Sequence, residues 1–458
     1  MTKDDGAPTG VAGELVAQEQ DALGPAMVVL SEPAVPTDPA DAEVQARALH
    51  RGGIALVANG AFNGLLGLAY WIEAAHLYGA VPVGRNSSLI SAMLTISGVA
   101  QLNYSRSLSG LIPRAGTDAG RLLARVYVVV GAISLALGLA FALSGPSISS
   151  RFAYLTIGVV PVFVAAVVLW SVFTLQDTVL ASVRRAPLIP VKNGTFGVVK
   201  LVLLYVLAKL GVGQFGIFTS WVIPLVFIIV PIDLHIFRRA IPRIATTTAT
   251  AVSVTARWVK LDLAGYFFWL FGTSPLPILV LTVLGPKPAA SFYIPLTIST
   301  AVDLLSLNVG NTVTAEIARD HGRVGPHAVK TLVRVWLLVV VGCVTIAILA
   351  PHLLQLFGGH YRSHGGTALR FLVLAAPARS LMFFSNALAR AQEQGGRILL
   401  TQAVAATGTL ALGLGLMPSM GVPGMAVAWL SSSCVAGILA LRWVTPVVLS
   451  AWRRPSRH

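Results

Sequence analysis

Charge is scarce in this chain. Only 11% of its 458 residues are Asp, Glu, Lys or Arg, while 55% are hydrophobic; soluble domains carry roughly 25% charged residues. A single aqueous core cannot absorb that much apolar surface, which excludes an ordinary soluble enzyme. Cysteine is also scarce. Cys343 and Cys434 are the two present, both in apolar stretches, so neither a disulfide framework nor a cysteine zinc site is indicated. Catalytic signatures are missing too. There is no G-x-x-x-x-G-K-[ST] loop to hold ATP, no zinc-protease motif and no G-x-S-x-G elbow. His360 and His364 stand four apart in "HYRSH" with no carboxylate beside them, and read as two surface histidines rather than a metal pair. No metal and no resident cofactor is expected.

The charge that is present is unevenly placed. Formal net charge is +15, which in a soluble domain would suggest nucleic acid. Here the basic residues stand at the ends of apolar segments, so no nucleic-acid partner is expected. Half of the 18 acidic residues fall before residue 44: Asp4, Asp5, Glu14, Glu19, Asp21, Glu32, Asp38, Asp41 and Glu43. Residues 1–48 have no sustained periodicity and read as a disordered acidic cytoplasmic tail. No basic n-region leads into a short apolar run, so this stretch is not a signal peptide.

Twelve candidate membrane spans follow: 52–72, 88–112, 122–144, 152–176, 189–209, 214–236, 259–284, 289–316, 329–350, 366–388, 396–417 and 421–444. Each is near or above the roughly 20 residues that cross a bilayer as a helix. The second and eighth, interrupted by "QLNYSRS" and "NVGNT", are too polar to face lipid throughout. Even-numbered connections are rich in basic residues, among them Arg121, Arg125, Arg184, Arg185, Arg238, Arg239 and Arg243. Odd-numbered ones carry Arg85, Arg151, Lys209, Lys287, Arg362 and Arg370. The positive-inside rule then puts both termini in the cytoplasm.

A weak internal repeat divides the chain. "TLQDTVLASVRRAPLIPVKNG" enters span five as "FFSNALARAQEQGGRILLTQA" enters span eleven, about 209 residues later, and a short Gly-containing turn follows each ("GVGQFG", "GVPGMA"). The fold class expected is therefore all-α: a polytopic membrane protein with about 12 transmembrane helices in two pseudo-symmetric six-helix bundles. The bundles would be 49–237 and 259–445, joined by a cytoplasmic linker 238–258 and followed by a basic cytoplasmic tail 446–458.

Polar groups inside apolar spans are costly in lipid and usually face a bundle interior. The candidates are Gln101, Asn103 and Arg106 in span two, Lys200 in span five, Asp303, Asn308, Asn311 and Glu316 in span eight, and Arg379 in span ten, two residues after Pro377. Arg106, Lys200 and Arg379 suit a cationic cavity for an anionic substrate. The plain alternatives are snorkelling for Arg106 and Lys200, and an ion pair with Asp303 for Arg379. Asp303 has three open roles: proton or cation coupling, charge partner of an arginine, or a structural tie. Asp177 and Asp233 read as charge balance for Arg184–Arg185 and Arg238–Arg239. Glu73, at the outer end of span one, is a gate candidate against ordinary exposure. Pro161, Pro224, Pro231, Pro295 and Pro377 stand where they can bend helices.

The order and duplication of these segments resemble the multidrug/oligosaccharidyl-lipid/polysaccharide flippase superfamily over residues 50–445, nearest its polysaccharide-biosynthesis branch. The segments that carry the likeness are "GGIALVANGAFNGLLGLAYWIEAAHLYG", "SSLISAMLTISGVAQLNYSRSLSGLIPRAG", "TISTAVDLLSLNVGNTVTAEIARDHG", and "LRFLVLAAPARSLMFFSNALARAQEQGGR" with "MGVPGMAVAWLSSS". The resemblance implies two lobes around a central cavity that opens alternately to either side. It also implies passage of an undecaprenyl-pyrophosphate-linked oligosaccharide repeat unit from the inner to the outer leaflet of the bacterial plasma membrane, with proton or sodium coupling in some members. Partners would be the lipid-linked glycan (a polyprenyl pyrophosphate) and membrane lipids; oligomeric state is open. Two departures stand out: the acidic tail, and a first span with no basic residue in its apolar body. A proton- or sodium-coupled exporter of small organic cations is the alternative within transport, favoured by a free Asp303. A membrane-embedded glycan polymerase or ligase is the alternative of another class, and would need larger outer loops.

Overall fold

The computed structural model describes residues 64–101, 115–183, 185–244, 256–319 and 326–453, with Tyr104, Leu108, Leu111 and Ile112. The acidic tail, the first part of span one, Asn103, Arg106 and the middle of the inter-lobe linker lie outside them, as do the side chains of Asn311 and Glu316. Among the described residues the regular structure is helical, with no strand.

The first bundle contains α1 (64–77), α2 (Ala80–Ala100), α3 (Ala119–Ile148), α4 (Val159–Ser182), α5 (Leu188–Lys209) and α6 (Gly216–His235). The second contains α7 (Ala256–Thr273), α8 (Leu276–Leu284), α9 (Pro286–Arg319), α10 (Pro326–Gln355), α11 (Gly359–Leu374), α12 (Ala376–Ala391), α13 (Gly395–Met420) and α14 (Val422–Arg453). Spans seven and ten are thus each made of two helices. Pro275 and Pro277 split α7 from α8, and Pro377 stands in the first turn of α12. Of the other prolines, Pro224, Pro231 and Pro295 lie inside helices, whereas Pro161 sits in the first turn of α4, where a missing N–H costs nothing.

Ten stretches among the described residues are long and apolar enough to cross a membrane. Their outward faces are apolar: on α10 Leu337, Leu338, Val341, Val344 and Ile348 are exposed at helical spacing, and on α3 Val128, Leu135, Leu139 and Leu143. Lipid is the solvent these faces fit. α2 is different. It starts at Ala80 rather than 88, and Asn86, Ser87, Ser88, Ser91, Thr95 and Ser97 along it are all buried. Its polarity is accommodated because protein surrounds it: α4 on one side, α8 and α9 on the other.

Two expected boundaries move. α6 does not stop at 237; a π-helical turn (Ile236–Ala240) and a further turn (Ile241–Ile244) carry the helix into the expected linker. α14 likewise runs past 445 to Arg453, since "VVLSAW" continues the apolar helix through Pro446.

We call the end bearing the turns at Gly79, Gly211, Gly285, Gly358 and Gly421 distal, and the arginine-rich opposite end proximal. The repeat is visible in these turns: Gly211 and Gly421 both adopt left-handed φ, 71° and 64°.

The two bundles close on each other distally. One buried apolar cluster joins Tyr70, Trp71, Val83 and Leu89 of the first bundle to Leu276, Leu281, Phe292 and Ile294 of the second. Trp71 meets Tyr293 with ring centroids 4.6 Å apart, and the Ser88 hydroxyl donates to the Pro277 carbonyl at 3.1 Å. Gly84 packs on the Pro286 carbonyl. Proximally the buried clusters are separate. One, around Leu123, Leu180 and Ile241, belongs to the first bundle; another, around Leu332, Phe384 and Leu388, belongs to the second. The architecture is two lobes joined at the distal end and parted at the proximal end.

α2 is bonded into the first lobe. Asn86 accepts from Phe218 N at 2.9 Å and donates to the Pro82 and Gln214 carbonyls, Ser97 donates to Val167 O, and Gln101 donates to Thr174 Oγ1 at 2.8 Å.

Candidate functional site

The break in span ten falls just before Arg379, inside the stretch Gly359–Ala391 that is long and apolar enough to cross a membrane. Pro377 offers no N–H, so the first turn of α12 is free to swing away from α11, and the Pro377 carbonyl accepts from Trp336 Nε1 at 3.0 Å. Two residues on, the Arg379 side chain points inward and is 5% exposed. Its Nε donates to Asp303 Oδ2 of α9 at 2.7 Å. Its guanidinium carbon lies 4.1 Å from the Trp429 ring centroid and 5.5 Å from that of Phe383. Asp303 Oδ1 has no hydrogen-bond donor among the described residues. Next to the pair, Ser306 and Ser380 share a hydrogen bond of 2.7 Å that ties α9 to α12.

This pair lines a cavity of about 290 Å³ between the lobes, near the lower size limit of ligand pockets. Ser91 and Leu94 of α2 form one wall; Trp269, Thr273, Tyr293, Thr297, Thr300 and Phe383 are among the residues of the others. Aromatic faces and hydroxyls flank one ion pair whose net charge is zero. The lining therefore offers stacking surface and hydrogen bonds rather than a bare cation.

Lys200 does not line this cavity. It is buried within the first lobe, 8% exposed, where its Nζ sits 4.1 Å from the Trp221 ring centroid, 4.9 Å from that of Tyr70 and 5.1 Å from that of Phe196. No carboxylate lies within 4.0 Å of it among the described residues. Gln101 is also directed elsewhere, into its tie with Thr174. Asn308 is half-buried on α9. Glu73 is half-buried two residues beyond Trp71, and among the described residues it meets no cation.

Asp177 and Asp233 differ from the interfacial role expected of them. Asp177 pairs with buried Lys192 at 2.7 Å, and Asp233 accepts from Gln176 at 2.8 Å and Tyr127 at 3.0 Å. Among the described residues neither forms an ion pair with Arg185, Arg238 or Arg239. The repeat explains the first pair. Asn386 and Thr401, which correspond to Asp177 and Lys192 in the duplicated segments, are hydrogen-bonded at 3.0 Å. The same helix-to-helix tie is charged in one lobe and neutral in the other.

At the distal end His360 and His364 stack at 4.7 Å, and His360 Nε2 meets Ser291 Oγ at 3.2 Å. No group of three metal-ligating side chains is found among the described residues.

Sequence reasoning named both members of the cavity's ion pair and left their meeting open. It missed Trp429, Tyr293 and Trp269, which look like ordinary apolar residues within their spans, and it missed the three rings around Lys200 for the same reason.

Compared by sequence, the chain matches no family model and none of the curated proteins. Compared by structure, it resembles lipid II flippase MurJ in an inward closed conformation, with a TM-score of 0.67 and 12% identity over 87% of this chain and 90% of that one. The fold is that of the MOP flippases and transporters. The MATE multidrug transporter DinF-BH, in complex with R6G, gives a TM-score of 0.63 at 16% identity, covering 93% of this chain and all of that one (100%). An outward-facing multidrug resistance MATE transporter of the MOP superfamily gives 0.52 at 15% identity, over 89% and 96% of the two chains. These neighbours are flippases and transporters.

Proposed function

We propose that this protein is a flippase that carries a lipid-linked glycan across the membrane, its headgroup passing through the inter-lobe cavity while the polyprenyl chain stays in lipid. The observation that carries the reading is the lining of that cavity. Trp269, Tyr293 and Phe383 supply faces on which sugar rings stack, and Ser91, Thr297 and Thr300 supply hydroxyls. Arg379, held by Asp303, is a guanidinium that can exchange part of its bonding for a phosphate oxygen. The likeness to a lipid II flippase supports the lipid-linked class, and within it an undecaprenyl-pyrophosphate-linked oligosaccharide repeat unit is the cargo proposed here.

With the arginine-rich proximal end in the cytoplasm, both termini are cytoplasmic and the lobes are parted toward the cytoplasm, the side on which such substrates are assembled. The bacterial plasma membrane is the setting this reading requires. Export of organic cations needs a carboxylate free to meet the cation; the commitment of Asp303 Oδ2 to Arg379 counts against it.

The test is depletion of the protein in its host, with undecaprenyl-linked glycan repeat units measured on the cytoplasmic leaflet. Accumulation reversed by wild type and not by a normally expressed R379A is expected. No accumulation after efficient depletion, in a host without a second flippase, would sink the proposal.

A further inference from the structure

Basic side chains without counter-charge collect where the lobes meet distally. Three segments touch one another there. Gly84 of α2 packs on the Pro286 carbonyl. The Arg151 guanidinium, from the loop between α3 and α4, lies so close to Gly285 that a side chain on that glycine would collide with it. The Arg85 guanidinium carbon is 5.4 Å from the ring centroid of Tyr154, a residue of the same loop as Arg151. Segments 84–85, 151–154 and 285–287 therefore close a triangle across the seam. Each corner carries a cation: Arg85, Arg151 and Lys287.

Arg151 and Lys287 are exposed, and Arg85 is half-buried. No carboxylate lies within 4.0 Å of any of the three among the described residues. Arg85 donates instead to the neutral Gln214 Oε1 at 2.8 Å. Gly285 ends α8 and Pro286 begins α9, so a negative and a positive helix end meet at the third corner and neither sets the local sign. An unused donor adds to the imbalance. The Tyr154 hydroxyl is buried and has no hydrogen-bond partner among the described residues, an expensive state for a polar group. Like charges repel, so such a patch weakens the seam unless an anion spans it. The group that fits is compact, carries more than one negative charge and offers several acceptor oxygens. Guanidinium groups bind phosphate oxygens in pairs, an ammonium attracts the group as a point charge, and a phenol O–H donates to a further oxygen.

We propose that this patch is a phosphate-binding site at the distal mouth, shared between the lobes. Arg85, Arg151 and Tyr154 of the first lobe and Lys287 of the second hold the anion, which bridges the lobes beside the Gly84–Pro286 contact. None of the four lines the inter-lobe cavity, so the two sites are separate. A free phosphate, the diphosphate of a prenyl lipid and a phospholipid headgroup share the chemistry that this site reads. The proposal rests on the geometry of the seam and not on the identity of the cargo.

The test sets the cavity aside. The full chain, carrying Arg379→Met with Asp303→Leu to remove the cavity's own ion pair, is titrated calorimetrically with inorganic pyrophosphate in nonionic detergent at fixed ionic strength. Saturable binding is expected. Arg151→Gln and Lys287→Gln, added singly, should each weaken it roughly tenfold. Arg370→Gln, which removes an exposed charge bonded to the Ala347 carbonyl on another face, should leave it unchanged. Every variant is first checked for a single size-exclusion peak. Absence of saturable binding overturns the proposal. So does an affinity untouched by Lys287→Gln, because the site would then not be shared. Geranyl pyrophosphate and glycerol 3-phosphate, titrated in the same way, name the source: tightest binding of the first marks a prenyl diphosphate, of the second a phospholipid headgroup, and of inorganic pyrophosphate a free anion. Because the cavity pair is absent throughout, failure of the glycan-flipping test leaves this result standing, and the reverse.

Discussion

Gly84 of the first lobe rests on the main-chain carbonyl of Pro286 of the second, so closely that a methyl group built on Gly84 collides with that backbone. The obstacle is backbone, not the movable end of a side chain, so closure of the distal end demands glycine here. Overpacking of this kind costs about 1–3 kcal/mol. It would fall on the distal-closed state alone, shifting the balance between states by roughly 5- to 150-fold. Gly84→Ala is expected to lengthen the distance between spin labels at Ile157→Cys and Leu356→Cys, exposed positions beside the distal loops of opposite lobes, as measured by pulsed EPR, while leaving the fold intact. A distance distribution equal to wild type would show that the contact yields.

The Arg379–Asp303 pair should behave differently when broken than when removed. Loss of one partner of a buried pair costs about 3–5 kcal/mol, whereas apolar replacement of both is often neutral or stabilising. In thermal unfolding in detergent, Arg379→Ala and Asp303→Ala should each be destabilised, and the double variant Arg379→Met with Asp303→Leu close to wild type. Transport should be lost in all three. A double variant that transports normally would leave the pair with a structural role only.

The duplicated tie offers a transplant. Asp177→Asn together with Lys192→Thr writes the second lobe's solution into the first. The double variant is expected to unfold within about 1–2 kcal/mol of wild type, and Asp177→Asn alone to be worse, since it strands the Lys192 ammonium. Scanning calorimetry of the purified protein decides it. If the single and double variants are equally destabilised, the two ties are not equivalent.

Orientation is open to a direct check. Ile157 lies at the distal end and Glu393 is exposed in the proximal loop between α12 and α13. A membrane-impermeant maleimide should label Ile157→Cys in intact cells, and Glu393→Cys only after permeabilisation. The reverse pattern would invert the topology.

The fold was largely legible in the sequence because lipid-facing helices are written as long apolar runs. The first stretch of span seven hides a break, since "TSPLPI" keeps its hydropathy through Pro275 and Pro277. The extension of α6 was missed for the opposite reason: "RRAIPRI" reads as a linker by charge, yet its arginines stand on a helix end. At the site, charged residues announced themselves by being costly in lipid. Their surroundings did not, because Tyr70, Trp221, Tyr293 and Trp429 differ from other apolar residues only through what they face in three dimensions. Residues 76 apart, Asp303 and Arg379 were each named, but no local spacing says that they touch. Asp177 looked interfacial because its partner, Lys192, is contributed by the next helix.

In the flipping cycle proposed here, in which the two lobes move against each other, the bonding of α2 decides which surface slides. Asn86, Ser97 and Gln101 fasten it to α4, α6 and the turn before α6, whereas across the seam to the second lobe Ser88 reaches the Pro277 carbonyl. α2 must travel with the first lobe, although it lies along α9 of the second. The seam between α2 and α9 is then the bearing of the machine: small side chains and backbone pressed together, holding few bonds that have to be broken on each stroke. Wear on such a surface, in the form of added side-chain bulk, would show first as a slowed cycle in a protein that still folds.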